Sequence, residues 1–196
     1  MQANSSSKKL ITPSLWNAYY WYAERAYGEK EDFLKVLRKE ETEPKPIMLQ
    51  GIKFENDIRD ITEGKIADKE TPEGRIADIV RGGFWQERVK KEFGNYILYG
   101  ICDVIKDDKI YDIKFCNVYE DGKYNHSIQH LIYMYCTGIK KFEYLISEGR
   151  DVYIEPHSWN DESIDELKAK VFDCIEFIYG NEEFAKAYEE NWIARI

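Results

Sequence analysis

The chain of 196 residues is long enough for one sizeable hydrophobic core and too short for two full domains. Its net charge of −9 argues against a general nucleic-acid binder, because affinity for the phosphate backbone comes largely from Lys and Arg. No apolar run is long enough to span a bilayer, and no basic segment precedes an apolar leader. We therefore expect a cytoplasmic protein without a membrane partner.

The chain begins with a polar, serine-rich stretch, and residues 1–11 are expected to be disordered, so that one domain covers 12–196. Thr12 before Pro13 is a helix-start signal. The helix that follows carries aromatic residues all around it, so part of this set must be exposed. Core packing or a partner-protein surface is the favoured role of these residues, and stacking on unpaired bases remains open. The aromatic residues are Trp16, Tyr19, Tyr20, Trp21 and Tyr22.

A charged helix is predicted over 30–41, and a second over 47–62 carries Glu55. Apolar residues should anchor this second helix in the core. They are Ile52, Phe54, Ile58 and Ile61. After it, Thr71-Pro72-Glu73-Gly74 reads as a turn or mobile loop, followed by a possible short helix over 76–81.

Apolar runs bounded by turn residues then predict five strands. They cover 84–93, 96–105, 109–115, 142–147 and 152–156. Further helices are predicted over 125–137, 162–179 and 182–193. This order indicates an α/β (α+β) fold, with a central mixed sheet flanked by helices.

The second and third strands form a hairpin that carries the residues most indicative of chemistry. One strand contains Gly100-Ile101-Cys102-Asp103, and the next contains Asp112-Ile113-Lys114. Strand side chains alternate between faces, so Asp112 and Lys114 share a face. An acid and an amine are thus held side by side on a rigid element.

These residue types suit hydrolysis of a phosphodiester, whose charge repels an anionic nucleophile and therefore calls for a hard cation. Mg²⁺ prefers oxygen ligands, which Asp103, Asp112 and the Ile113 carbonyl would offer. Lys114 would position the attacking water or stabilise charge on the phosphoryl oxygens. The simpler alternative is that both acids face solvent and that Lys114 is their surface ion pair.

Gln129 and Tyr133 lie four residues apart on a predicted helix, on one face, beside an apolar stripe that buries the helix. Gln129 would then reach a phosphate from the edge of the stripe. The alternative is an amide at the edge of the core, hydrogen-bonded to the backbone.

Four motifs in one order resemble the PD-(D/E)XK nuclease superfamily, in its RecB-like and lambda-exonuclease-like branch, over about residues 12–156. They are Gly51-x-x-x-Glu55, Gly100-x-x-Asp103, Asp112-x-Lys114 and Gln129-x-x-x-Tyr133. The resemblance implies a restriction-endonuclease-like core in which Glu55, Asp103 and Asp112 hold Mg²⁺ or Mn²⁺. It also implies that Lys114 is catalytic and that Gln129 and Tyr133 contact the scissile strand or brace the site.

Some relatives hold an iron–sulfur cluster with four cysteines, three of them clustered. Here Cys102, Cys116, Cys136 and Cys174 lie singly, so we expect neither such a cluster nor zinc and interpret them as small buried apolar residues. The three histidines, His126, His130 and His157, are interpreted as structural or surface residues unless His126 faces the cleft.

A local basic track would let an acidic protein bind DNA. The candidates are Arg81, Arg88 and Lys90, followed by Lys91, Lys140 and Lys141. A solvated surface explains these residues equally well.

The sequence therefore favours a Mg²⁺- or Mn²⁺-dependent deoxyribonuclease, exonuclease-like, that acts in recombination, repair or phage DNA metabolism in bacterial cytoplasm. A structure-specific endonuclease, an RNA-cleaving relative and a non-catalytic nucleic-acid- or protein-binding module on the same fold remain open. So do a homo-oligomer and a recombination partner protein.

Overall fold

The computed structural model describes residues 8–65 and 69–194. In this part of the chain six strands form one sheet: β1 Lys9–Ile11, β2 Phe84–Phe93, β3 Tyr96–Lys106, β4 Lys109–Cys116, β5 Lys141–Glu148 and β6 Asp151–Ser158. The α-helices are α1 Pro13–Tyr19, α2 Lys30–Arg38, α3 Pro46–Thr62, α4 Pro72–Val80, α5 Gln129–Thr137, α6 Ser163–Tyr179 and α7 Glu182–Asn191.

The sheet is organised around β3. On one side β2 pairs with it antiparallel, from Phe84 opposite Ile105 to Phe93 opposite Tyr96. On the other side β1 runs parallel to the start of β3, and β4 runs antiparallel to its end. β5 continues the sheet parallel to β4, after the crossover through α5, and β6 pairs antiparallel with β5. The mixed sheet flanked by helices confirms the predicted fold class.

Both faces of the central strands β3, β4 and β5 are largely buried, which explains the near-continuous apolar character of β4 and β5, whereas β2 and β6 are mostly exposed. One core contains buried residues of α1, α2, α5, α6 and α7, with Leu98 and Phe142 from the sheet. The second core lies under α3 and α4 and includes Phe54, Ile58 and Leu145. Residues near the middle of the sheet can therefore receive partners from two helical layers.

Two helices start with a threonine cap before a proline at the first helical position. The Thr12 hydroxyl accepts from the backbone N–H of Leu15 at 3.1 Å, as its sequence signal predicts. Thr71 does the same for Gly74 at the start of α4, also at 3.1 Å. The prediction of a turn or mobile loop at 71–74 was wrong, because the same Thr-Pro signal begins a helix there.

Three other predictions need correction. Of the expected disordered start, residues 1–7 lie outside the described part, but Lys9–Ile11 form β1 against β3. Ile52, predicted to anchor α3, is 53% exposed. The helix expected from residue 125 begins at Gln129, and the preceding residues form turns. No helix in the described residues is both long and apolar enough to cross a bilayer.

Candidate active site

The hairpin of β3 and β4 opens soon after its turn. Only three residue pairs join the strands, the last of them Val104 with Tyr111. Asp103 and Asp112 would face each other next, but there the strands part, and the Asp103 carboxylate accepts the backbone N–H of Ile113 at 2.8 Å. An acidic side chain thus replaces the lost ladder bond, since a buried N–H needs an acceptor. The same N–H belongs to the residue whose carbonyl was predicted to bind metal.

A second irregularity lies at the same level on the opposite side of β3. Gln86, the residue of β2 that would pair with Asp103, is absent from the ladder and has a left-handed φ of 55°. Such a conformation is uncommon for a residue other than glycine and is often found at functional sites. The Gln86 amide donates to the Glu55 carboxylate, which comes from α3. Sequence reasoning missed Gln86, because no motif or periodicity predicts a single left-handed residue within a strand.

The predicted acid and amine of β4 are in contact, as strand alternation requires. Asp112 is 1% exposed and lies 2.5 Å from the Lys114 ammonium. From α5, the Gln129 side chain accepts from Lys114 at 3.0 Å, and its amide donates to Asp112 and to the Tyr133 hydroxyl, at 3.1 Å for the hydroxyl. This chain of contacts joins the four residues in one network.

Two glycines of the predicted motifs differ in whether the structure has room for a side chain in their place. A Cβ at Gly100 would lie 2.2 Å from the Tyr133 ring, so only glycine lets this ring pack against β3. A Cβ at Gly51 would meet nothing within 4 Å, and Gly51 lies within a regular helix. Gly100 is thus needed to place Tyr133, whereas nothing in the structure explains Gly51.

The charge of Asp112 affects both of the other carboxylates. Burial raises the pKa of Asp103 well above its usual value, and the neighbouring Asp112 raises it further. Burial, and then the charge of Asp112, also raises the pKa of Glu55. Burial raises the pKa of Asp112, although Lys114 opposes this. Glu55 and Asp103, from a helix and a strand, are thus each close enough to Asp112 to interact with its charge.

Lys114 offsets part of this charge. Burial by itself would lower the pKa of its ammonium, but Asp112 and Asp103 outweigh burial and raise it. Lys114 thus stays protonated. An ammonium has three N–H donors. Gln129 accepts from one of them and the Asp112 carboxylate forms an ion pair with the ammonium, which leaves at least one N–H for a ligand in the cavity that Lys114 lines.

The donor set suits a hard cation, because it consists of carboxylate oxygens. The Asp112 oxygen beside Lys114 is buried and lacks a hydrogen bond of acceptable geometry. However, within the described residues no three His, Cys, Asp or Glu side chains are placed so that they could hold a metal ion. Protein N–H groups already engage each of the three acids.

A cavity of about 1060 Å³ lies over this network. Lys114, Gln129 and Tyr133 line it, and so do Tyr20 and Trp21 after α1 and residues of the loop over 117–128. The sequence interpretation left a role for His126 if this residue faced the cleft. His126 lies in this loop and does face the cleft. The three thiols of Cys102, Cys116 and Cys174 are buried and Cys136 is half-buried, in agreement with their interpretation as apolar residues.

The predicted basic track does not line this cavity. Arg81 pairs with Asp78 at 3.2 Å, away from the cleft, and Lys91 donates to the Tyr135 carbonyl at 3.1 Å. Arg88, Lys90, Lys140 and Lys141 are exposed. The basic residues that do line the cavity besides Lys114 are Arg25 and Lys123, neither of which the sequence singled out.

No protein-family model and no curated protein sequence matches this chain. Solved structures match it over most of its length. LHK-Exo in complex with dAMP is 14% identical, with a TM-score of 0.57, over 90% of this chain and 91% of that chain. The alkaline exonuclease LHK-Exo from Laribacter hongkongensis matches over the same shares at 15% identity and a TM-score of 0.52. SSO0001 is 13% identical, with a TM-score of 0.58, over 89% of this chain and 79% of that chain.

At such low identity, the likeness shows the fold. This chain has the fold of exonuclease structures. The network of Asp112, Lys114 and Gln129 lies within that fold at the opening of a cleft, which makes a nuclease-like function plausible.

Proposed function

We propose that this protein is a metal-dependent nuclease of the PD-(D/E)XK type that hydrolyses DNA phosphodiester bonds in an exonuclease-like manner, in recombination, repair or phage DNA metabolism. The observation that carries the proposal is the contact of Lys114 with buried Asp112 and with Gln129, beside two further carboxylates and under an open cavity. The shared fold with LHK-Exo, which was solved with dAMP, supports a nucleotide as ligand.

Glu55, Asp103, Asp112 and the Ile113 carbonyl would hold Mg²⁺ or Mn²⁺. The cation would neutralise the phosphate charge and supply a nucleophile at neutral pH. Each acid accepts one hydrogen bond from a protein donor, but a carboxylate has about four lone-pair sites, so each keeps a site for the cation, and the contact of Glu55 with Gln86 is the most accessible of the three. The mutual repulsion of the acids favours cation binding.

The protein's own groups then act on the phosphate. The remaining N–H of Lys114 donates to a phosphoryl oxygen, where negative charge grows during the reaction. Gln129 holds Asp112 and Lys114 in position through its amide, and Tyr133 fixes the amide through its hydroxyl. We therefore assign Gln129 and Tyr133 to bracing the site.

The test is cleavage of linear duplex, circular duplex and single-stranded DNA, and of RNA, with Mg²⁺, with Mn²⁺ and with EDTA. Asp112→Asn keeps the shape of the side chain and removes its charge. Asp108→Asn is the matched control, since Asp108 lies in the turn of the same hairpin, and Asn tolerates its left-handed φ of 55°.

We expect cation-dependent loss of linear DNA that Asp112→Asn abolishes and Asp108→Asn retains. Cleavage of circular DNA would instead indicate an endonuclease, and preference for RNA an RNA-cleaving relative. No cleavage of any substrate with either cation would contradict the proposal and favour a non-catalytic module.

A further inference from the structure

The cleft is bordered by a group of aromatic rings that the proposed chemistry does not use. We propose that it is a subsite for an unpaired nucleotide, in which Trp21 stacks on the base and Arg25 and Lys123 take the phosphate. This inference rests on the proposed nuclease function. It specifies the substrate as DNA that is single-stranded where it contacts Trp21.

The rings form an ordered stack. Tyr20 lies between Trp16, at 5.2 Å between ring centroids and 16° between planes, and His126, at 4.4 Å and 15°. Trp21 meets Tyr20 and His126 edge to face. Trp16 is buried, but Trp21 is 41% exposed and lines the cavity. The stack thus supports one aromatic side chain that remains available to a ligand.

The backbone explains why Trp21 is presented in this way. After α1 the helix widens to a π-helical turn, Tyr20–Glu24, closed by the N–H of Arg25 bonding to the Tyr20 carbonyl at 3.0 Å. Such turns are rare and frequently occur at functional sites. The extra residue per turn places Trp21 and Arg25, four positions apart, along the same cavity.

Charge around the stack is mixed. Arg25 and Lys123 line the cavity, and Lys170 donates to the His126 carbonyl at 2.6 Å. Burial, with Lys170 and Arg25 nearby, lowers the pKa of His126, so its ring is neutral at pH 7. Glu120 and Asp121 also line the cavity, so the cations are not in large excess. Ring stacking must therefore supply most of the attraction.

A stacking subsite selects for unpaired bases. Inside a duplex both faces of each base are covered by its neighbours, whereas in a single strand a π-face can meet an aromatic side chain. Ligand pockets of about 300–1,000 Å³ hold a drug-sized molecule. At about 1060 Å³, the cavity has room for a nucleotide between Trp21 and Lys114.

The experiment measures affinity directly, apart from turnover. Fluorescence anisotropy of a labelled oligo(dT) and of a blunt DNA hairpin is recorded in Ca²⁺, at two salt concentrations, for the wild type and for Trp21→Ala, Trp21→Leu and Trp21→Phe. Phe172→Ala is the control, because Phe172 is an aromatic residue 63% exposed on α6, outside the cavity.

We expect Trp21→Ala to weaken oligo(dT) binding by roughly 5- to 150-fold, the range for loss of one base–aromatic stack. Trp21→Leu should lose nearly as much, and Trp21→Phe should retain most of the affinity. The loss should hardly change with salt, and hairpin binding should change less than about 2-fold. Arg25→Ala should instead lower the salt dependence, by about one unit of log–log slope.

Oligo(dT) binding by Trp21→Ala at the wild-type level, or an equal loss for the hairpin, would overturn the subsite. If Trp21→Ala does not fold, Trp21→Leu tests the subsite instead, because it keeps an apolar side chain but lacks the aromatic ring. A wild type that cleaves DNA with no effect of Trp21 refutes the subsite alone. A wild type that binds oligo(dT) through Trp21 and cleaves nothing refutes the nuclease function alone.

Discussion

The two edges of β3 have opposite characters. Toward β2, the strand keeps its partner along almost its whole length, with a gap only at Gln86. Toward β4, it keeps three residue pairs and then separates. Where the strands remain paired, backbone N–H and C=O groups form hydrogen bonds with one another, and side chains contribute packing alone. Where it stops, the freed N–H of Ile113 takes Asp103 as acceptor, and the space admits Lys114 and Gln129. The polar groups of the candidate site thus gather where strand pairing ends.

The largest effect should come from a lysine at the open edge. Lys114→Ala removes the ammonium beside Asp112 and leaves all three carboxylate residues unchanged, so we expect cleavage to fall by at least about 10²-fold in single-turnover assays. Lys109→Ala is the matched control, since Lys109 lies on the same strand where pairing is intact and binds Glu143 outside the cavity. Equal rates for the two variants would contradict the role of Lys114.

The second comparison uses two glycines of the predicted motifs. Gly100→Ala forces a Cβ into the Tyr133 ring, and overpacking of this kind costs about 1–3 kcal/mol in the free energy of unfolding. Gly51→Ala has open space in a helix and should stabilise by about 0.5–1 kcal/mol. Urea denaturation of both variants measures these changes. A Gly100→Ala variant at least as stable as the wild type would show that the packing of Tyr133 does not require glycine at position 100.

A third, smaller effect concerns the loop that walls the cleft. Glu155 on β6 is buried, accepts from the Tyr124 N–H at 3.1 Å and the Tyr119 hydroxyl at 3.2 Å, and lies 3.2 Å from His157. Glu155→Ala leaves these donors unpaired, which should cost about 1–3 kcal/mol in stability.

Because the loop lines the cavity, we also expect KM for DNA to rise several-fold in Glu155→Ala, with a smaller change in kcat. Glu155→Gln keeps an acceptor and should recover part of the loss. Steady-state kinetics of both variants check this, with Glu143→Gln on the neighbouring strand as control. A fall in kcat alone would place Glu155 in another role.

The smallest effect should be a gain in stability. The pKa of folded Asp103 lies above its unfolded value, so the native state binds the proton more tightly and the free energy of unfolding falls as pH rises through that interval. Asp103→Asn removes the charge and keeps an oxygen for the Ile113 N–H. At pH 7 with EDTA we expect its Tm to rise by roughly 2–4 °C, which corresponds to about 1 kcal/mol.

This gain should shrink as pH falls and the wild-type Asp103 becomes protonated. Thermal denaturation at several pH values tests it. A lower Tm for Asp103→Asn at pH 7 would mean that Lys114 and the Ile113 N–H stabilise the charged form more than burial and Asp112 destabilise it.

Local patterns predicted much of the fold and of the site. The alternation along β4 placed Asp112 and Lys114 on one face, and helical spacing placed Gln129 beside Tyr133, because both periods follow from backbone geometry alone. These residues do meet in the structure. The strand limits were also close, since turns and apolar runs are local signals.

The remaining features depend on tertiary context. Gln86 adopts its left-handed conformation only against Glu55 and β3, and the π-helical turn at Tyr20–Glu24 follows no sequence period. β1 is three residues long and gains its order from β3. Ile52 matched an apolar helix face but is 53% exposed on α3. The early end of β3–β4 pairing, on which the site depends, has no local signal either.

The most direct test of the proposal that Glu55, Asp103 and Asp112 hold one cation is a Mn²⁺ titration followed by electron paramagnetic resonance without nucleic acid. We expect one Mn²⁺ per chain for the wild type, loss of this ion in Asp112→Asn, weaker binding in Glu55→Gln and no change in Asp108→Asn. Wild-type Mn²⁺ affinity in Asp112→Asn would contradict the account.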